Sequence, residues 1–214
     1  FLLLCTTADI NDVLYTRIIL AKENRLRRLP VYGYGYSNGG MMVQTLLCRK
    51  IIDTGVTLNG VMALKSDPES SFEACDKLYK NPRRGRGYVD TRLANIHCLD
   101  DERVPFDGEA PKKLWDKIQF YLGIYFIPGA KLPAIDENMR RWAERVGCQA
   151  NTTSTTNISS WTQQKEWTCP TPKRVVSIER SNCTYHGRAH RVIKTSDFDP
   201  ARWAAEFFLD VDKA

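Results

Sequence analysis

Residues 31–42, VYGYGYSNGGMM, contain the pattern Gly-x-Ser-x-Gly, with Ser37 between Gly35 and Gly39. A short aromatic and β-branched run precedes the serine, which indicates a strand, and a stretch typical of a helix follows it. A strand, a sharp turn and a helix in this order form a nucleophile elbow, which exposes a serine hydroxyl near a helix N-terminus. Because the turn folds the backbone against itself, we expect side chains at both glycine positions to clash. The stretch predicts Ser37 as a nucleophile and the backbone amide of Asn38 as an oxyanion donor.

The same letters also begin the dinucleotide-binding fingerprint Gly-x-Gly-x-x-Gly, since Gly33 and Gly35 supply its first two glycines. The third glycine of that fingerprint permits close packing of the helix against the strand, but Asn38 occupies its position. We therefore favour the nucleophile. An ordinary glycine-rich turn without a chemical role is the remaining alternative.

A catalytic serine needs a general base that is oriented by an acid. Of the three histidines in the chain, His186 and His190 follow the last predicted strand, where an α/β-hydrolase carries its base. His97 lies inside a predicted strand, so we expect it to be buried and hydrogen-bonded. The acidic turn at residues 100–102 lies between the serine and the two late histidines. The chain order of serine, acid and histidine is therefore that of an α/β-hydrolase.

The two late histidines also form a His-x-x-x-His pair, which on a helix would place two metal ligands on one face. Gly187 lies between His186 and His190 and disfavours a helix, and no third ligand is evident in the sequence. We therefore expect no metal site. A structural pair of histidines on a surface loop is the alternative to a catalytic role.

The composition predicts a single domain with one core, since 43% of the 214 residues are hydrophobic. The net charge of +6 is a mild excess. Its densest basic segment, NPRRGRG at residues 81–87, accompanies no nucleic-acid-binding motif, so a solvated loop is favoured over a nucleic-acid site. The apolar run at residues 1–5 is too short to span a membrane. We expect neither a nucleic-acid partner nor a membrane span.

Seven cysteines and three N-glycosylation sequons favour an oxidising, secretory environment. The sequons begin at Asn151, Asn157 and Asn182. No Cys-x-x-Cys occurs, and the cysteine spacing does not indicate zinc. Because the number of cysteines is odd, at least one lacks a disulfide partner within the chain. We expect a secreted protein.

Predicted strands and helices alternate along the chain. Helical periodicity marks a segment that begins after an N-cap at Asp9, and it also marks residues 38–50, 111–121, 136–146 and 200–211. The last of these helices has Asp199 as its predicted N-cap. We expect its three aromatic residues, Trp203, Phe207 and Phe208, to face inward. Strands are predicted around residues 31–36, 61–64, 93–99 and 174–180. This alternation predicts an α/β fold with a mostly parallel sheet and helices on both faces.

Three stretches resemble the polyhydroxybutyrate depolymerase and feruloyl esterase group of secreted α/β-hydrolases, which are carbohydrate esterase family 1-like: VYGYGYSNGGMM, IHCLDDERVPFDG and GRAH…SDFDPARWAAEFF. In that group the elbow commonly reads Gly-x-Ser-Asn-Gly-Gly-Met-Met, which residues 35–42 match. The acid turn commonly reads Ile-His-Gly-Thr-x-Asp-x-x-Val-Pro-Tyr-x-Gly. That register selects Asp101, rather than Asp100, as the acid, while Cys98 and Leu99 replace the usual Gly-Thr.

The resemblance implies an α/β-hydrolase fold and a serine esterase that needs no cofactor, with Ser37 as nucleophile, His190 as base and Asp101 as acid. His190 is preferred to His186 because a glycine shortly precedes it, although the residues that usually follow the histidine in this group differ here. The implied substrate is an ester, in a hydroxyalkanoate polyester or in a feruloylated or acetylated plant polysaccharide.

The resemblance further implies a disulfide between Cys148 and Cys169, which would close a loop carrying two sequons. In the related enzymes several strands precede the elbow, and a loop after the third strand donates a second oxyanion amide. Only 36 residues precede Ser37 here, so we expect the sequence to lack these first strands and that loop. A catalytically inactive hydrolase-fold protein with a binding or structural role is therefore the alternative to an active esterase.

Overall fold

The computed structural model describes residues 11–24, 30–62, 72–80, 91–108, 132–183, 190 and 194–209. Within these ranges the chain forms five helices and six strands. In chain order they are α1 (Asp12–Asn24), β1 (Tyr32–Tyr36), α2 (Asn38–Cys48), β2 (Thr54–Leu58), α3 (Phe72–Lys80), β3 (Arg92–Cys98), α4 (Ile135–Val146), β4 (Gln149–Ser159), β5 (Thr162–Thr168), β6 (Arg174–Arg180) and α5 (Pro200–Leu209).

The six strands form one sheet in the order β1-β2-β3-β6-β5-β4. Strands β1, β2, β3 and β6 are parallel, and the β4–β5 hairpin continues the sheet in antiparallel fashion. The register aligns Tyr36, Leu58, Ile96 and Ile178, so the four parallel strands end along one edge. In open α/β sheets this carboxyl edge is where ligands bind. The predicted α/β class with a mostly parallel sheet is confirmed.

Helices cover both faces of the sheet because alternate residues of the buried strands point to opposite sides. Leu93 of β3 belongs to a core cluster formed with α2, α3 and α4, which includes the fully buried Trp142. The next residue, Ala94, belongs to a second cluster formed with α5, which includes Phe207. Burying a large apolar side chain contributes roughly 1.5–3 kcal/mol, so both layers stabilise the sheet substantially.

Small residues allow helix α2 to lie close to the first two strands. A Cβ atom added at Gly33 would lie 3.2 Å from the Val43 methyl groups. One added at Gly55 would lie 2.6 Å from Val43 and 2.9 Å from Leu47. The glycines at positions 33 and 55 therefore allow Val43 and Leu47 of α2 to pack directly on the first two strands.

The N-cap predicted for the last helix, α5, is confirmed, whereas the N-cap of the first helix, α1, is a different residue from the one predicted. Asp199 Oδ1 accepts hydrogen bonds from the backbone N–H groups of Ala201 and Arg202 at 3.1 Å, so it caps α5 as predicted. At α1 the cap is Asn11, whose Oδ1 accepts from the Leu14 N–H at 2.8 Å. Phe207 is buried, while Trp203 and Phe208 are partly buried against the same cluster.

The strand predicted around residues 61–64 does not form at Val61 and Met62, and residues 63 and 64 lie outside the described residues. The strand in this region is Thr54–Leu58, all of which is buried, and it ends at Asn59, which has a φ of 48°. The sequence prediction placed the strand later because an apolar run follows residue 60. The β-branched residues of TGVTL favour a strand, and Gly55 allows Val43 and Leu47 of α2 to pack closely on it.

The segment between Cys148 and Cys169, for which the sequence predicted no strand, is a β-hairpin. Strands β4 and β5 pair in antiparallel fashion, and a disulfide joins the two cysteines at its base. The Ser- and Thr-rich composition of β4 was compatible with a loop. Threonine is, however, also a β-branched residue that favours strands, and a mostly exposed strand needs no apolar face.

Several sequence expectations lie outside the described residues. They are the apolar run at residues 1–5 with Cys5, the predicted N-cap Asp9, the basic segment at residues 81–87, the predicted helix at residues 111–121 and the second candidate base His186.

Candidate active site

Ser37 occupies a strained turn between β1 and α2. Its backbone has φ 53° and ψ −119°, a conformation that residues other than glycine adopt at a cost of about 1–3 kcal/mol. The turn is held from both sides, since the Ser37 N–H donates to the Leu58 carbonyl at 2.8 Å and its own carbonyl accepts from Met41 N–H at 3.1 Å. The sharp turn places the serine at the carboxyl edge of the sheet and at the N-terminus of α2.

The two glycines of the pattern have different steric roles. A Cβ atom at Gly35 would overlap the Gly39 carbonyl and lie 2.7 Å from the Gly40 nitrogen, as predicted for a tight turn. A Cβ atom at Gly39 would meet no atom within 4 Å, so the prediction of a clash at this position is wrong. The second close contact comes from Gly60, whose added Cβ would lie 2.7 Å from the Ser37 carbonyl oxygen.

This difference predicts unequal effects of two alanine substitutions. We expect Gly35→Ala to lower the free energy of unfolding by about 3 kcal/mol or more, because backbone atoms cannot move aside as side chains do. Gly39→Ala is the matched control and should change stability by less than about 1 kcal/mol, since it adds a helix-forming residue in open space. Urea denaturation followed by circular dichroism measures both. Equal losses would contradict the steric role of Gly35.

His190 joins Ser37 and Asp101 in a chain of hydrogen bonds. Its Nε2 lies 2.9 Å from Ser37 Oγ, and its Nδ1 lies 2.7 Å from Asp101 Oδ2 and 2.9 Å from Oδ1. The Asp101 side chain is fully buried and that of His190 is one-tenth exposed. With Nδ1 protonated toward the carboxylate, Nε2 is free to accept the serine proton. The structure thus brings together three residues that lie 64 to 153 positions apart in the sequence.

The turn after β3 fixes the orientation of the Asp101 carboxylate. Asp101 Oδ1 accepts hydrogen bonds from the backbone N–H groups of Arg103 at 2.8 Å and Val104 at 3.0 Å. The preceding residue, Asp100, is exposed. The carboxylate that faces the imidazole is therefore that of Asp101, as the motif register predicts.

His97 is a buried neutral neighbour of this turn. Its Nε2–H donates to the Val104 carbonyl at 2.8 Å and lies 3.6 Å from Asp101 Oδ2. Burial lowers the pKa of His97 to about 4, against the opposing effects of Asp101 and the Val104 carbonyl. Its Nδ1 is buried without a partner among the described residues. His97 is therefore buried, as expected, and of its two ring nitrogens Nε2 makes the expected hydrogen bond.

The shifted pKa of His97 predicts a specific loss of stability in acid. The folded-state pKa of about 4 lies below the ordinary value of 6.5, so the unfolded chain binds the proton more tightly. The contribution of neutral His97 to the free energy of unfolding is fully present above pH 6.5 and is lost as the pH falls toward 4. Between pH 7.5 and pH 5 this loss amounts to about 2 kcal/mol.

The matched variant is His97→Gln, whose amide retains a donor and does not titrate. We expect the wild-type protein to lose about 2 kcal/mol more than this variant between the two pH values. Urea denaturation at pH 7.5 and pH 5 measures the difference, in which the contributions of all other titrating groups cancel. Identical losses in the two proteins would show that His97 does not resist protonation.

Two further residues hold the backbone of His190. The Asn59 Nδ2–H donates to the His190 carbonyl at 2.8 Å, and the Tyr36 hydroxyl donates to the same oxygen at 2.7 Å. Tyr36 occupies a variable position of the Gly-x-Ser-x-Gly pattern, and Asn59 belongs to no motif that the sequence singles out. The one local signal is the Asn-Gly pair at residues 59–60, which is typical of a turn.

A buried polar network lies beneath the turn that contacts Ser37. The Gly60 carbonyl accepts hydrogen bonds from Asn95 Nδ2 at 2.8 Å and Gln44 Nε2 at 3.1 Å. Gln44 in turn accepts from the Trp142 indole N–H at 2.9 Å. These side chains have no exposed surface, and a buried polar atom without a partner, as Asn95 Oδ1 is among the described residues, costs about 1–3 kcal/mol. The network ties helix α4 to the turn behind the nucleophile.

A disulfide between Cys98 and Cys183 connects the two segments that carry Asp101 and His190. Cys98 ends β3 shortly before Asp101, and Cys183 follows β6 on the way to His190. Cys98, which stands where the acid-turn motif of the esterase group commonly has a glycine, thus has a partner. Cys48 and Cys75 form the remaining pair, between α2 and α3. The sequence alone did not determine either of these pairings.

The N-terminus of α2 supplies the candidate oxyanion donor. Asn38 is the first residue of this helix, so its backbone N–H has no carbonyl one turn earlier within the helix. The helix dipole also favours negative charge at this end. Within the described ranges no group of three or more histidine, cysteine or acidic side chains is arranged to hold a metal.

Comparison with known proteins leaves the family of the chain open. No sequence profile of a known protein family matches it, and no curated protein matches it. The resemblance therefore depends on the elbow and acid-turn motifs, and the chemistry depends on the geometry of the three side chains.

Proposed function

We propose that the chain is a serine esterase of the α/β-hydrolase fold that cleaves carboxylic esters through an acyl-enzyme. The observation that supports this most is the hydrogen-bonded series Ser37–His190–Asp101 at the carboxyl edge of a parallel sheet. The strained turn at Ser37 has the strand–turn–helix geometry of a nucleophile elbow, and serine, acid and histidine follow each other in the chain as they do in α/β-hydrolases.

In the first half of the reaction Ser37 Oγ attacks the ester carbonyl carbon while His190 Nε2 accepts the hydroxyl proton. Asp101 stabilises the imidazolium that forms and holds its Nδ1–H. The Asn38 N–H donates to the oxyanion of the tetrahedral intermediate. As the intermediate collapses, the C–O bond to the alcohol breaks and His190 returns the proton to the leaving oxygen.

In the second half a water molecule replaces the alcohol. His190 takes a proton from this water as its oxygen attacks the acyl carbon, and the proton then returns to Ser37 Oγ when the acid product leaves. The substrate class that we propose is a hydroxyalkanoate polyester or a feruloyl or acetyl ester of a plant polysaccharide. This choice is supported by the motif resemblance, and ester substrates of the three types distinguish between them.

The test is labelling of the purified chain with a fluorophosphonate, which reacts with activated serines. We expect one label, located at Ser37 by peptide mass spectrometry, and hydrolysis of at least one of 4-nitrophenyl acetate, methyl ferulate and 3-hydroxybutyrate oligomers. A folded protein that is neither labelled nor active would overturn the esterase proposal. It would favour the alternative of an inactive hydrolase-fold protein with a binding or structural role.

We also propose that the protein is secreted and glycosylated. Three disulfides fit an extracellular protein. The sequon residues Asn151 and Asn157 are exposed on β4, and Asn182 is exposed after β6, so a glycan is sterically possible at each. Of the helices in the described ranges, none combines the length and apolar character needed to cross a bilayer.

Glycosylation gives a direct test of the secretory proposal. When the chain is produced in the secretory pathway of a eukaryotic host, we expect treatment with an N-glycosidase to increase its mobility on a denaturing gel. Asn151→Gln and Asn157→Gln should each remove one glycan, whereas Thr153→Ser preserves the first sequon and should leave the pattern unchanged. Identical mobility of treated and untreated wild-type protein would contradict the prediction.

A further inference from the structure

The backbone of His190 is anchored to two strand ends, and we propose that Asn59 and Tyr36 are positioning residues for this histidine. They hold its carbonyl so that the imidazole spans the gap between Asp101 and Ser37. The inference depends on the proposed function in that it assigns His190 as the general base.

His190 needs such an anchor because it lies in none of the described helices or strands. Its imidazole must nevertheless meet two partners at once, at 2.7 Å and 2.9 Å. A histidine side chain has two torsion angles, so the reach of its ring nitrogens is set by the position of its backbone. The carbonyl receives hydrogen bonds of 2.7 Å and 2.8 Å, which use both of its lone pairs.

Asparagine is the side chain suited to position 59. The backbone there has a φ of 48°, a left-handed conformation that asparagine tolerates better than most residues. The fully buried Asn59 amide accepts from the Cys98 N–H at 3.1 Å through Oδ1 and donates to His190 through Nδ2. Its backbone N–H donates to the Ile96 carbonyl at 2.9 Å. Asn59 therefore connects the end of β3, which leads to the acid, with the base.

Tyr36 makes the corresponding connection from the nucleophile. It is the last residue of β1 and directly precedes Ser37, and its ring centroid lies 5.2 Å from that of His190. Its hydroxyl donates to the His190 carbonyl from the strand that also carries the serine. The position of His190 relative to both Ser37 and Asp101 is thus fixed by hydrogen bonds from the ends of neighbouring strands.

Three variants separate these contributions. Tyr36→Phe removes one donor without changing the ring. Asn59→Asp tolerates the left-handed backbone and keeps an acceptor for Cys98, but loses the donor. The double variant removes both. Tyr34→Phe is the matched control, since Tyr34 is a half-exposed tyrosine two residues earlier on the same face of β1.

Two measurements are made on each variant. The first is the rate of fluorophosphonate labelling at Ser37. The second is the low-field proton NMR resonance of the His190 Nδ1–H bonded to Asp101, assigned by its loss in Asp101→Asn. We expect about a tenfold slower labelling in each single variant and about a hundredfold in the double variant, the loss that a misplacement of about 1 Å causes. The low-field resonance should weaken or broaden in parallel, while Tyr34→Phe leaves both measurements unchanged.

The outcomes separate the two proposals. Unchanged labelling and an unchanged low-field resonance in the double variant would overturn the positioning role. If the wild-type protein is neither labelled nor active, the esterase proposal fails, and the NMR resonance alone then decides whether Asn59 and Tyr36 hold the imidazole. If a variant is destabilised, the resonance of its folded fraction still reports the His190–Asp101 contact. A general loss of stability with an intact resonance counts against the proposal.

Discussion

Replacing Ser37 with alanine is expected to abolish fluorophosphonate labelling and to reduce ester hydrolysis by about 10⁶-fold, as loss of the nucleophile does in a serine protease. The reason is that the Ser37 hydroxyl lies 2.9 Å from His190 Nε2, within reach of the group that would accept its proton. Hydrolysis of 4-nitrophenyl acetate by wild type and variant, with active-site titration, measures the effect. Retention of more than about one-hundredth of the activity would assign the nucleophile elsewhere.

Stability provides the control for this substitution. Ser37→Ala keeps a side chain in a backbone conformation with φ 53° and should unfold with nearly the wild-type free energy. Ser37→Gly relieves that strain, and we expect it to stabilise the protein by about 1 kcal/mol while also abolishing activity. A gain of stability together with a loss of function is the signature of strain held at a functional turn. If glycine destabilises the protein instead, the turn is not strained.

Replacing Asp101 with asparagine is expected to lower the rate of ester hydrolysis by about 10⁴-fold, the loss known for this exchange in a serine protease. The turn dictates the orientation of the new amide. Its oxygen must accept from the N–H groups of Arg103 and Val104, so its NH₂ group faces His190 Nδ1. The imidazole then carries its proton on Nε2, where it cannot accept one from Ser37.

The matched control is Asp100→Asn, which removes the same charge from the exposed neighbouring position. We expect this variant to hydrolyse esters at the wild-type rate. Steady-state kinetics on a soluble ester, with circular dichroism to verify folding, compare the two. Equal losses would indicate that negative charge near the turn matters, rather than the tautomer that Asp101 imposes.

Local patterns in the sequence were sufficient for the parts of the molecule that local interactions form. The elbow stretch around Ser37 predicts its own strand, turn and helix, because the aromatic run, the glycines and the helical periodicity are all contained in twelve residues. The strand β6 and the helix α4 were likewise predicted within one or two residues of their observed bounds. The alternation of such elements gives the α/β class.

The predictions that were wrong concern segments whose environment, rather than composition, determines their structure. Composition alone does not single out strand β2, because the apolar run that follows it is at least as hydrophobic. What makes residues 54–58 a strand is their pairing between β1 and β3. The hairpin of β4 and β5 is defined by pairing with β6 and by the disulfide that closes it. At Gly39 the pattern predicted a clash that the actual path of the backbone does not produce.

The sequence by itself determined the residue types of the candidate site and their order along the chain, because the elbow and the acid turn are short motifs. Only the tertiary structure decided how these residues meet. It places His190 between Ser37 and Asp101, pairs Cys98 with Cys183, and brings the amide of Asn59 to the histidine carbonyl across 131 positions of sequence. The physical reason is that parallel strands end at a common edge, so residues far apart in the chain become neighbours only after the sheet has formed.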